Sequence, residues 1–134
     1  MRFVTILVAL MLATLPSPAA ADAIAASQRA RSGDFDGMGN VRCAQNAGEA
    51  LDTCKAAFAH AQNSTVVVVT FPSSFKRMLT LSDERFVRGN ATMSGVGTDT
   101  EWHLAEGTYH IRVDDQRFEI PQHMIQGDMA APTE

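Results

Sequence analysis

With 134 residues, 15 acidic against 11 basic side chains and a formal charge of −4 at neutral pH, the chain has the length of one domain and an acidic balance. That balance argues against nucleic acid or an anionic membrane as partner and permits a cationic one. No catalytic, nucleotide-binding or metal signature in the chain rises above background.

Met1-Arg2 supplies a short positive start, Phe3 to Leu15 an apolar run, and Pro16-Ser17-Pro18 leads into Ala19-Ala20-Ala21, which fits the small-x-small cleavage rule. Residues 1–21 therefore read as a secretory signal peptide. The prolines stop the run short of the about 20 apolar residues a bilayer span needs, so no stable membrane insertion is expected after cleavage. Cleavage after Ala21 leaves 113 residues with 10 basic and 15 acidic groups, located in the periplasm or secreted. The two cysteines, Cys43 and Cys54, have no third candidate and lack redox-active C-x-x-C spacing, so they predict one structural disulfide.

Residues 22–33 are alanine-rich with a single larger aliphatic, Ile24, and read as a flexible leader or a frayed helix outside the core, with little to bury. Residues 34–126 read as a single disulfide-stapled β domain, and 127–134 as a tail. Asp34 to Asn40 is rich in turn formers and aims Phe35 at the core; its Gly37 comes two positions too early for a calcium loop. Leu51, Cys54, Phe58 and Ala61 fall at helical spacing, which predicts a helix over 49–61. Thr65 to Phe71 is β-branched and continuously apolar, the pattern of a strand covered on both faces or centrally placed. Phe75 to Leu81 alternates as a half-exposed strand, and Arg85 to Arg88 and Thr92 to Val96 read as short strands.

Glu101 to Ala105 and Thr108 to Val113 form a hairpin over a Glu106-Gly107 type I′ turn. Counting outward sets Leu104 against Tyr109, His103 against His110, Trp102 against Ile111 and Glu101 against Arg112, with Trp102, Leu104, Tyr109 and Ile111 on the core side. The next hairpin has two registers that keep its apolar residues together. A two-residue Asp114-Asp115 loop opposes Arg112 to Arg117. A four-residue loop, Asp114 to Arg117, opposes Arg112 to Glu119 and is preferred on charge. Pro121 ends the strand, and Gln122 to Ile125 adds a helical turn.

Phe35-Asp36 with Gly39-Asn40, then Cys43-Ala44-Gln45, a second cysteine, a valine-rich strand and the closing Ile111-Arg112-Val113, Asp115 and Arg117 to Pro121 run together resemble a family of small, secreted, uncharacterised bacterial proteins. The resemblance covers about Phe35 to Gly127 and brings no activity. It implies proline and glycine in the family at the positions of Lys55 and Ala57. That in turn implies an extended segment from Ala56 to Ala61, in a hairpin with the valine strand through Gln62-Asn63-Ser64. This chain has no such helix breakers there, so helix and strand both stay open for 49–61.

The resulting expectation is a mainly β fold, a small antiparallel meander sheet or partial barrel with one disulfide and at most a short helix. Catalytic residues and cofactors are expected to be none, and the partner an unidentified protein or envelope component bound by a monomer. The alternative is a metal-binding or enzymatic protein built on His103 and His110, with Glu119 beside them in the shorter-loop register. Ser94-Gly95 lacks the first glycine of a nucleophile elbow, and Asn63-Ser64-Thr65 and Asn90-Ala91-Thr92 match a glycosylation sequon without further support.

Overall fold

The computed structural model describes residues 18–89 and 99–126. It contains helix α1, Pro18–Arg31, then strands β1 Gly37–Ala44, β2 Asp52–Ala61, β3 Ser64–Thr70, β4 Lys76–Ser82, β5 Arg85–Gly89, β6 Thr100–Ala105, β7 Thr108–Val113 and β8 Gln116–Pro121, and a last turn of helix, α2, Gln122–Ile125. The strand expected at Thr92 to Val96, the Ser94-Gly95 pair, the Asn90 sequon, most of the signal segment and the 127–134 tail lie outside the described residues. The strands form one antiparallel sheet in the order β5-β4-β3-β2-β1-β8-β7-β6. The chain meanders outward on either side of the β1–β8 pair. The two edges, β5 and β6, then approach each other without sharing a ladder among the described residues, so the sheet curls into a nearly closed barrel.

Alternation decides what fills the interior. Val41, Cys43, Phe58, Val67, Val69, Leu79, Leu81, Tyr109, Ile111, Phe118 and Ile120 belong to a single buried cluster, one face of every long strand. Where the two edges meet, Gly89 lies so close to Val113 that a Cβ there would stand 3.1 Å from its methyls. Met124 of α2 plugs one end against Gly39, where a Cβ would lie 2.9 Å from its terminal methyl. Tyr109 donates its hydroxyl to the Glu84 carbonyl at 2.7 Å, tying β7 to the β4–β5 turn. At the other end Arg77 is only 2% exposed; it donates to Gln116 Oε1 at 2.7 Å and lies 5.7 Å from the centre of the Phe75 ring.

The segment 49–61 resolves in favour of strand. Asp52–Ala61 is β2, pairing β1 on one side and β3 on the other, with Ala57 opposite Val68 and Ala59 opposite Val66. Its helical spacing is a by-product of alanines, which small side chains on a doubly covered strand also require. Cys43 and Cys54 form the disulfide, with Cα atoms 5.9 Å apart and both side chains in the core.

Three expectations are corrected. Residues 22–33 are neither a flexible leader nor a frayed helix outside the core: α1 lies on the outside of β2, β3 and β4, burying Ala26 and Ala30 against Ala59 and Val66, with Phe35, Val68 and Met78 around them. Alanine has little area, but on a helix it lets the backbone approach a valine surface closely, which is why Val66 to Val69 is apolar on both faces. Arg29 fixes the helix, donating to Asp36 at 2.7 and 2.8 Å and to the His60 carbonyl at 2.6 Å, and this guanidinium holds the Asp36 carboxyl down to about 2. Gly37 to Asn40 is also not a turn; it is the first half of β1, opposite Phe58 to Lys55.

The third correction is the last hairpin, which takes the two-residue loop: Val113 faces Gln116, Arg112 faces Arg117, Ile111 faces Phe118 and His110 faces Glu119. Asp114 accepts φ 52°, a left-handed conformation that Asp tolerates, and the tighter loop adds ladder pairs and brings Gln116 inward to Arg77. The like-charge pair costs a few tenths of a kcal/mol. Arg112 offsets this by donating to Asp99 at 3.2 Å and to the Asp114 carbonyl at 2.9 Å.

Candidate functional site

The β6–β7 register matches the expected one pair for pair, from Glu101 opposite Arg112 to Ala105 opposite Thr108, and continues one pair further to Thr100 opposite Val113, over a turn with φ 52° at Glu106 and 75° at Gly107. Combined with the two-residue β7–β8 loop, it lays two polar rows across the outer face. One row runs Glu101, Arg112, Arg117, and the other His103, His110, Glu119, continuing to Arg42 on β1. These rows and Leu51, on the loop that precedes β2, bound a groove of about 630 Å³.

The sequence placed Trp102 and Leu104 in the core. They do share a face with Tyr109 and Ile111, yet they are 37% and 40% exposed, because β6 is the last strand of the sheet and nothing pairs beyond it among the described residues. The Trp102 ring packs at 6.1 Å from that of Tyr109, on the face opposite the polar rows of the groove.

His103 and His110 come together as the hairpin arithmetic required. Their rings stack face to face, 4.6 Å between centroids and 6° between planes. His110 Nδ1 lies 3.8 Å from Glu119 Oε1, and Arg42 approaches the other oxygen at 3.9 Å. A metal is bound by lone pairs in the plane of the imidazole; stacked rings send these side by side instead of onto one point. Among the described residues no three His, Cys, Asp or Glu side chains are grouped to hold a metal.

The electrostatics of the groove are those of paired charges. Arg112 lies 3.2 Å from Asp99 and 3.5 Å from Glu101, and the hydrogen bond to Asp99 raises its pKa further. Arg117 donates to the Glu49 carbonyl, which fastens the 45–51 loop over β8. No sequence signal pointed to Leu51 or Arg117 as site residues, since their juxtaposition depends on the β1–β8 pairing and the shorter loop.

A second cavity, of about 550 Å³, lies at the α2 end beside His60, Asp83, Glu84 and Gln126. His60 Nδ1 is 2.8 Å from Thr65 Oγ1, and that hydroxyl donates to the Ile125 carbonyl at 2.8 Å. The hydroxyl has one proton, so Nδ1 must be the donor and the neutral ring leaves Nε2 bare; Nε2 is buried without a hydrogen-bond partner. Burial pushes the His60 pKa below its ordinary value, with Asp36 opposing and Arg29 reinforcing the shift. The fold thus prefers the neutral ring. Its contribution to stability is complete above the unfolded pKa of about 6.5 and is lost as pH falls below that toward the depressed folded value. The thermal midpoint is expected to drop between pH 7 and pH 5 by more in the wild type than in His60→Asn, whose amide can still donate to Thr65. Equal drops would show that His60 carries no such linkage.

No described helix is long and apolar enough to cross a membrane. Set beside protein-family models, curated proteins and solved structures, the chain finds no match in any of the three comparisons.

Proposed function

We propose that this chain is an exported, non-enzymatic binding module of the periplasm or the secreted fluid, and that it binds its ligand in the groove over β6, β7 and β8. The observation that carries the reading is the groove itself. At about 630 Å³ it falls within the roughly 300–1,000 Å³ of small-molecule sites, and its polar groups stand on paired strands instead of loops. The groups best suited to acid–base work are already engaged, Glu101 with Arg112, Glu119 with Arg42 and His110, and the two imidazoles with each other. The disulfide fits an oxidising compartment, in keeping with the signal-like first 21 residues.

The test is chemical-shift mapping of the isotopically labelled protein with a library of polar and aromatic fragments. Binding fragments are expected to move the amides of Leu51, His103, His110, Arg112, Arg117 and Glu119 together. Shifts confined to another surface would overturn the site, and turnover of a bound fragment would overturn the non-enzymatic reading.

A further inference from the structure

Arg117 is the one charged group of the groove without an opposite charge within ion-pair distance among the described residues. Glu101 has Arg112 at 3.5 Å, Glu119 has Arg42 at 3.9 Å, and Arg112 has Asp99 at 3.2 Å. Arg117 stands directly opposite Arg112 in the ladder, with Arg112 turned to Asp99 and the Asp114 carbonyl and Arg117 to the Glu49 carbonyl. Its hydrogen bond to the Glu49 carbonyl uses one of five N–H donors. A planar fork with most of its donors unspent is the group best matched to an oxyanion that can accept two parallel hydrogen bonds. Leu51 supplies apolar surface in the same groove.

We infer that the groove takes an organic carboxylate, the carboxylate on the Arg117 guanidinium and an apolar body against Leu51. The inference rests on the groove being the binding surface and adds the chemistry it selects. The net acidity of the chain does not oppose it, because the carboxylates nearest Arg117 are already held by other cations. A bare inorganic anion would meet the charge but leave the apolar surface unused.

Binding is followed through the amide chemical shifts of Leu51, His110, Arg112, Arg117 and Glu119, which line the groove. The full exported protein is titrated with 4-phenylbutyrate, with the matched amide 4-phenylbutyramide and with inorganic phosphate. The carboxylate is expected to bind about tenfold or more tightly than the amide or phosphate, in line with the strength of charge-assisted bidentate pairs. Arg117→Gln should bring it down to the level of the amide, Arg117→Lys should recover part of the loss, and Arg85→Gln, outside the groove, should change nothing. Circular dichroism of each variant verifies the fold. Equal binding of acid and amide, or a preference untouched by Arg117→Gln, would overturn the carboxylate assignment while leaving the groove as a binding surface. Phosphate binding as tightly as the acid would overturn the apolar part. No saturable shift of the groove amides with any probe would overturn both.

Discussion

Ile111→Asp is expected to abolish cooperative unfolding of the domain at 25 °C. Ile111 is 2% exposed in the middle of β7, within the barrel's single interior cluster and opposite Trp102 on one side and Phe118 on the other. The charged groups of β7 all lie on the other face, and the buried Arg77 at the end of the barrel is already bonded to Gln116. Burying an unpaired charge costs more than the ~5–15 kcal/mol that holds a small domain together. The neighbouring His110→Thr, on the outer face, should cost within about 1 kcal/mol, as surface substitutions usually do. Thermal and urea unfolding of the two variants check the pair. A wild-type-like midpoint in Ile111→Asp would mean that the faces of β7 have been assigned the wrong way round.

Replacing both cysteines by alanine is expected to lower stability by about 3 kcal/mol on the chain-entropy estimate for a loop of this length. Cys43 and Cys54 are 11 residues apart and join the end of β1 to the start of β2, beside the buried Phe118. For a domain of this size such a loss moves the thermal midpoint down by roughly 10–20 °C. The double replacement avoids a free thiol and leaves the β1–β2 ladder intact, so the variant should still fold at low temperature. An unchanged midpoint would show that the bridge holds nothing the sheet does not already hold, and free thiols in the exported protein would contradict the bridge itself.

Elements whose pairing is local were legible in the chain. The β6–β7 hairpin could be read to the residue because Glu106-Gly107 dictates its turn, and the continuously apolar Val66 to Val69 run announced a strand covered on both faces or centrally placed. What covered it was not legible. Ala23, Ala26 and Ala30 carry too little hydrophobic area to mark a packing face in a sequence, although small size is what lets α1 sit down on β3. For the same reason alanines around Phe58 gave β2 a helical spacing. The last hairpin failed on a different count. A two-body charge comparison favoured Glu119 opposite Arg112, whereas the fold satisfies Arg112 from Asp99 and Glu101, partners that belong to β6 and the stretch just before it. The stacked His103 and His110 followed from the first hairpin alone; the groove around them, with Leu51 and Arg117, needed the β1–β8 pairing, which joins residues more than seventy positions apart and leaves no local trace.

The groove, its opposed arginines and the unspent charge on Arg117 all depend on the two-residue register of β7 and β8, and cross-strand Hα–Hα nuclear Overhauser effects read that register directly. Contacts between His110 and Glu119 and between Arg112 and Arg117 are the expected result. A contact between Arg112 and Glu119 in their place would restore the longer loop, pair Arg112 with a carboxylate and remove the basis of the site.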